Sequence, residues 1–300
     1  MLLVTGANGF VGTNLVKKLL KDGYSVRVFD RDIQDAKKKF PKADIIKGDL
    51  TDRDKLKEAA KKVDKVIHLA GMISYTAPES ELYRINTHGT NNVLNACKNA
   101  NKFIFASSVS VFGYSKDIIS EKLNPNPSNA YGRSKLHAEI AIKDSKIPHV
   151  FLRMAPIYGA GSFFWIKALK VIDKGFPVPN VSNMIHFLHI SNAVQAFVNS
   201  LKKGSGPYVI ADDNRIKFTE FTENLAIGMG TKQKLWPSWL VFFLARLKGF
   251  SRELDIFCKE REYDISKAKK DLGYEPKADT EKEIQKMGQW YIKLKKQGKL

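Results

Sequence analysis

The sequence predicts an α/β protein, a doubly wound parallel sheet with a smaller, mostly helical C-terminal part. Three observations predict it. Short apolar runs alternate with helical patterns through the first half of the chain. A glycine-rich turn, Gly6-Ala7-Asn8-Gly9-Phe10-Val11-Gly12, separates the first strand from the first helix. After about residue 155 the alternation stops, and Pro156, Pro177, Pro179, Gly159, Gly161 and Gly175 break the chain into shorter pieces.

Each element has its own warrant. Leu2, Leu3, Val4 and Thr5 form an apolar strand. Val11, Leu15, Val16, Leu19 and Leu20 recur at helical spacing, and Asp22-Gly23 stops that helix. Further strands are expected at residues 24–29, 44–46, 66–70, 103–107 and 150–152, with helices between them, notably over 82–99 and 131–142. Strands joined through helices pair in parallel, and right-handed crossovers cover both faces of the sheet. The expected division is residues 1–155, completed by parts of 184–212, and a discontinuous second unit over 156–300. The second unit is expected over the C-terminal edge of the strands, where open parallel sheets bind ligands.

Composition narrows the class. The 300 residues are 43% hydrophobic and 27% charged, enough apolar chain for a large core and too much for a disordered protein. No apolar run reaches 18 residues, and the longest, 240–245, is far too short to span a bilayer. Cys97 and Cys258 have no metal-like spacing, and Met1 runs directly into the first strand, so a reduced, cytoplasmic setting is expected. The net charge of +19 comes mostly from scattered lysines. Arginine clusters interleaved with aromatics would point to nucleic acid; this pattern describes a solvated surface, and no nucleic-acid partner is expected.

The glycine-rich turn has the spacing of a phosphate cradle. Gly6 permits the tight turn, Gly9 lets a pyrophosphate approach the backbone, and Gly12 lets helix and strand pack closely. The helix N-terminus adds free N–H groups and partial positive charge. Asp30, ending the second strand, can accept hydrogen bonds from both hydroxyls of an adenosine ribose. That carboxylate favours NAD; the neighbouring Arg31 can tolerate a 2′-phosphate, so NADP stays open.

Tyr131 and Lys135 are four residues apart and share one face of a helix. A free tyrosine titrates near pH ~10 and is a poor acid–base at neutrality. A nearby ammonium stabilises the phenolate, and such a tyrosine can exchange a proton with a secondary alcohol or ketone.

In order along the chain stand the Gly6–Gly12 turn, Gly48-Asp49-Leu50, His68-Leu69-Ala70-Gly71, Asn86-Thr87-His88-Gly89-Thr90, Ser107-Ser108-Val109-Ser110-Val111-Phe112-Gly113, Tyr131-x-x-x-Lys135 and Leu152-Arg153-Met154-Ala155-Pro156-Ile157-Tyr158-Gly159. Tyr263-Asp264-Ile265-Ser266-Lys267-Ala268 and Leu272-Gly273-Tyr274 follow near the end. Over essentially its whole length the chain resembles the extended short-chain dehydrogenase/reductases, also called NAD-dependent epimerases/dehydratases. The resemblance implies a Rossmann-type dinucleotide domain, bound NAD and an enzyme. It implies Ser108 as the residue that steadies the reacting oxygen, with Ser110 a second candidate, Tyr131 as acid–base, and Lys135 on the nicotinamide ribose. It places Asn8, Phe10 and Val11 in the phosphate turn, Asp49 and Leu50 beside the adenine, and Leu69, Ala70 and Gly71 under the cofactor. Asn86 is expected to buttress that segment, and Ala155, Pro156 and Ile157 to lie against the nicotinamide. A homodimer through helices at about 82–99 and 128–144 is also implied.

Two enzymatic readings compete. Nucleotide-sugar epimerases and dehydratases often carry Asn where this chain has Pro156, which cannot donate a hydrogen bond, although Arg215 could still hold a diphosphate. The other reading is an oxidoreductase similar to the 3β-hydroxysteroid dehydrogenases. Pro156, Asn192 and the stretch from Gly206 through Trp236-Pro237-Ser238-Trp239-Leu240 resemble that branch, and an apolar alcohol substrate follows. A non-catalytic dinucleotide-binding regulator is the third reading; such proteins usually lose Tyr or Lys, and both are present here. His68, His186 and His189 read as structural histidines and no metal site is expected. Phe163-Phe164-Trp165 reads as core or pocket wall. The segment 236–248 is apolar all round and flanked by Lys232, Lys234, Arg246, Lys248 and Arg252. It suits a buried helix, a dimer contact or a peripheral membrane contact.

Overall fold

A computed structural model describes residues 1–115, 117–247 and 258–300. The first half runs β1 Leu2–Thr5, α1 Phe10–Lys21, β2 Val26–Asp30, α2 Ile33–Lys39, β3 Asp44–Lys47, α3 Arg53–Ala59 and β4 Lys65–His68. It continues with α4 Glu79–Leu82, a π-helical turn Tyr83–His88, α5 Gly89–Ala96, β5 Lys102–Ser108, α6 Ala130–Asp144 and β6 His149–Met154. A last strand, β11 Gly206–Ile210, joins the same sheet beside β6. The order is β11-β6-β5-β4-β1-β2-β3, with every pairing parallel. This is the doubly wound sheet the sequence predicts.

The twofold alternation of a strand explains how both faces are buried. Leu2 and Val4 point into a core shared with Leu15, Val16 and Leu19 of α1 and with Ala193 and Phe197 of α8 Ile190–Ser200. Leu3 points the other way, among Leu56 of α3, Val93 of α5, and Ala138 and Ile142 of α6. Strand order reverses between β1 and β4, and the crevice at the C-terminal ends of the strands opens there.

Some boundaries differ from expectation. The second strand begins at Val26, because the Tyr24 N–H still caps α1 through the Leu19 carbonyl. β4 ends at His68, which frees residues 69–71 to cross the sheet edge. The helix expected over 82–99 starts at Glu79, widens into a π turn and closes at Ala96, with Cys97 as its C-cap.

Beyond residue 155 the chain holds more strand than expected. β7 Ile157–Tyr158 pairs with β10 Leu188–His189, β8 Val178–Asn180 with β13 Leu235–Pro237, and β9 Met184–Ile185 with β12 Ile216–Lys217. Pieces of two or three residues are too short to show a period. With α7 Ile166–Asp173, α9 Phe218–Met229 and the closing helix Thr280–Lys296 they enclose a separate apolar cluster, including Tyr158, Trp165, Phe187, Phe221, Leu225 and Met287. α10 spans Ser238–Leu247. Among the described residues, no helix is long and apolar enough to cross a membrane.

Candidate active site

The Gly6–Gly12 turn forms as its residue types require. Gly6 takes φ +73°, and a Cβ there would stand 2.6 Å from the Ala70 nitrogen, so turn and the 69–71 segment touch backbone to backbone. A Cβ on Gly12 would lie inside the Gly6 carbonyl, which fixes the close packing of α1 on β1. Gly9 is the N-cap of α1 and offers no side-chain acceptor, and no acidic residue lies in the first turn. The N–H groups around Phe10 and Val11 are therefore available to a phosphate. The Asn8 Oδ1 is buried without a hydrogen-bond partner.

Asp30 sits beside this turn. Its Oδ2 accepts from the Asn8 N–H at 3.1 Å, and its Oδ1 accepts from the Arg31 N–H at 2.8 Å. Arg31 extends into solvent, with Nη1 3.9 Å from the Asp49 carboxylate. Asp49 is held below the usual carboxylate range, chiefly by the Thr51 N–H that it accepts, with Arg31 contributing. Leu50 packs beneath Gly89 at the start of α5. Asp30, Arg31 and Asp49 thus form one polar rim, as an adenosine site needs.

Asn86 joins the 69–72 segment to α6. It lies on the π turn, 1% exposed. Its Oδ1 accepts from the Met72 N–H at 2.7 Å, and its Nδ2 donates to the Met72 carbonyl at 3.0 Å and to Ser134 Oγ at 2.9 Å. Asn86 therefore ties the segment just after Leu69, Ala70 and Gly71 to α6. π turns recur at functional sites because they redirect one side chain within a helix.

At the centre, the buried Tyr131 of α6 lies beside Ser108, at the end of β5. Ser108 Oγ accepts from the Ser110 N–H at 3.1 Å. Ser107 points away, into a buried set in which its hydroxyl donates to Glu139 and Arg153 clamps both Glu139 oxygens at 3.0 and 2.7 Å. That ion pair fastens α6 to β5 and β6, and so sets Tyr131 against Ser108. Lys135 is buried, donates to the Ala106 carbonyl at 2.9 Å, and stands against Gly71.

One electrostatic expectation is corrected. Burial, with the Tyr75 phenol alongside, raises the Tyr131 pKa, and the Lys135 ammonium does not offset it. Lys135 is itself pushed down to about 8 by burial, partly restored by Glu139. Its nitrogen is aimed at Ala106 and the Phe105 ring, and desolvation dominates both groups.

On the far side of the site, the Ala155 N–H donates to the Ile210 carbonyl, the Pro156 carbonyl accepts from Leu188, and the Ile157 carbonyl accepts from Trp165 Nε1 at 2.8 Å. This anchors the 155–157 segment to β11, β10 and the second cluster. Phe163 and Phe164 are exposed, so the aromatic triplet is divided between core and surface. His68 lies between the Thr5 and Thr90 hydroxyls, pushed down to about 3 by burial. Cys97 is packed in the core, its thiol pushed up to about 12 by burial. Among the described residues, no group of His, Cys, Asp or Glu could hold a metal ion.

Sequence reasoning missed several neighbours. The Tyr75 ring meets Tyr131 edge-on at 5.9 Å. Arg215 lines a cleft of about 660 Å³ with His186, Glu262 and Tyr263. Its Nη1 makes ion pairs with Glu260 at 3.2 Å and Glu262 at 3.0 Å, the two glutamate side chains being 63% and 40% exposed. Asp212, Glu139 and Tyr75 carry no motif, and no local pattern identifies them.

Residues 2–211 match the NAD dependent epimerase/dehydratase family. The chain is 30% identical to a UDP-glucose 4-epimerase of Vibrio cholerae, covering 92% of this chain and 90% of that protein. It is 27% identical to a mouse sterol-4-alpha-carboxylate 3-dehydrogenase, decarboxylating, covering 98% and 91%. In fold it is similar to a UDP-glucuronic acid 4-epimerase from Bacillus cereus in complex with NAD, with TM-score 0.81, 23% identity and coverage of 98% and 99%. The phosphate turn, the ribose carboxylate and the open helix N-terminus fit the dinucleotide that this family uses. The chain belongs to the NAD dependent epimerase/dehydratase family and is an NAD-dependent enzyme of the dehydrogenase/epimerase type.

Proposed function

We propose that this enzyme oxidises a secondary alcohol, or reduces the matching ketone, with Ser108, Tyr131 and Lys135 as its reacting group. The substrate in this reading is apolar, of a 3β-hydroxysteroid or lipid type. One observation carries it, the buried Tyr131 beside Ser108, with Lys135 on the same helix tied to the Ala106 carbonyl of the same strand. When bound, NAD+ would accept the hydride in alcohol oxidation, and NADH would donate it in ketone reduction. Tyr131 exchanges the alcohol proton, and the Ser108 hydroxyl steadies the reacting oxygen. Lys135, next to Gly71, holds the ribose and adds positive charge. Because burial keeps Tyr131 a phenol, proton donation to a ketone is favoured near neutral pH, and oxidation gains as pH rises. Residues 156–300 supply the substrate side.

A second reading, a nucleotide-sugar epimerase or dehydratase with tightly held NAD, is favoured by the identity to the Vibrio cholerae protein. Against it stand the Arg215 guanidinium, already compensated by two glutamates, and Pro156, without an N–H. Denaturing the purified protein and assaying the released nicotinamide cofactor separates the two. An empty chain that binds NAD reversibly and turns over apolar secondary alcohols supports the first reading. One NAD held per chain supports the second. A cellular role that survives Tyr131→Phe would exclude both and leave a binding module.

A further inference from the structure

We propose that α10 and the strand before it dock this protein on an anionic lipid surface. Val241 and Ala245, four residues apart, are the buried side of α10, which packs on β8 and β13. On the opposite side Trp239, Phe243 and Leu247 follow one another at four-residue steps and are 70%, 57% and 70% exposed. An ordinary surface helix turns its polar side to water, and this one is inverted. Leu235 and Trp236 of β13, each 42% exposed, extend the same apolar surface.

The charge around the patch selects its occupant. Between Glu223 and Leu247 the sequence has no Asp or Glu, and it has Lys232, Lys234 and Arg246. Lys248 and Arg252 lie outside the described residues. Lys232, Lys234 and Arg246 are exposed, and among the described residues no ion pair engages them. Two copies of a +19 chain meeting through this face would press like charges together. An anionic bilayer surface instead takes aromatic side chains into its headgroup region and attracts the surrounding cations. With 10 residues, α10 lies along such a surface and does not cross it.

The docking surface is separate from the hydride-transfer reading and fails or stands without it. The test mixes the full chain with phosphatidylcholine vesicles, with and without about 30% phosphatidylglycerol, and sediments them. The expected result is association with the anionic vesicles, a blue shift of tryptophan emission, and release at about 0.5 M NaCl. The double variant Trp239→Ser/Phe243→Ser is expected to bind about tenfold more weakly or worse, with NAD binding unchanged. Lys232→Glu/Lys234→Glu is expected to lose the preference for anionic lipid. No association, or equal association of the double variant, would overturn the proposal. So would a stable dimer that the double variant converts to monomer, since that assigns the patch to a second copy.

Discussion

The Lys135 ammonium donates a 2.9 Å hydrogen bond to the Ala106 carbonyl, two residues before Ser108 on the same strand. Helix α6 therefore presents Tyr131 and Lys135 to β5 as one unit. The Glu139–Arg153 pair behind them keeps that unit in register. Lys135 is thus a tether between α6 and β5, with its ammonium against Gly71.

Replacing Lys135 by alanine is expected to weaken NAD binding about tenfold and lower kcat/KM by roughly 10²–10³. In wild type, Lys135 loses its proton as pH rises through about 8, so NAD affinity should decline above that point. The unfolded chain keeps that proton to higher pH, so the empty protein gains stability from this group between about pH 8 and 10.5. Cofactor titrations and melts across this range check both. An affinity profile in the alanine variant that still declines near pH 8 would remove Lys135 from the account.

Tyr131→Phe is expected to lower kcat by about 10³-fold or more while leaving NAD affinity within about twofold. Ser108→Ala should cost about 10²-fold, because the reacting oxygen loses one hydrogen-bond donor. Single-turnover kinetics with a bound-cofactor signal separate chemistry from binding.

The two close-packed glycines separate folding from ligand binding. Gly12→Ala forces a methyl into the Gly6 carbonyl and is expected to cost about 2–4 kcal/mol of stability. At Gly9 a Cβ would meet only the Gly6 carbonyl, at 3.3 Å. Gly9→Val should therefore cost less stability than Gly12→Ala and lose NAD binding, because its branched side chain fills the phosphate approach. Thermal melts with and without NAD read the two effects independently.

Asp30→Ala is expected to raise the Kd for NAD about tenfold and to narrow the preference for NAD over NADP, since the carboxylate that meets the ribose hydroxyls is gone. Arg31 is solvent-extended and near Asp49, so it is free to turn toward a 2′-phosphate in that variant. Paired titrations with the two dinucleotides measure the change.

Two buried groups give acid stability opposite slopes. His68, pushed down to about 3, stays neutral in the fold, and its contribution is lost as pH falls from about 6.5 toward 3. Asp212, raised to about 6 by burial, holds its proton longer in the fold than in the unfolded chain. Its contribution is therefore lost as pH rises from about 4 through 6. Its Oδ1 accepts from the His189 N–H and from Asn192, but Oδ2 has no hydrogen-bond partner. Asp212→Asn keeps the first two bonds and removes the titration. The variant is expected to gain stability over wild type by about 2–3 kcal/mol between pH 4 and 7, with a steeper rise across that range. Urea melts at several pH values test this, and parallel curves would contradict it.

The sequence by itself determined the sheet, because alternating strand and helix patterns with a glycine turn admit one class of parallel fold. It also marked the phosphate turn, Asp30, Tyr131 and Lys135 by local spacing, whereas Asn86 and Ser108 were implied by the family resemblance. Only the tertiary structure decided what surrounds them. Tyr75 reaches Tyr131 from a loop that carries no signal, and Glu139 meets Ser107 and Arg153 across three elements. Arg215 is neutralised by glutamates far along the chain, and the apolar side of α10 faces outward although its composition suits burial equally well. Local spacing fixes what a backbone segment can present. Burial, and hence charge state and exposure, depends on which distant segments fold against it.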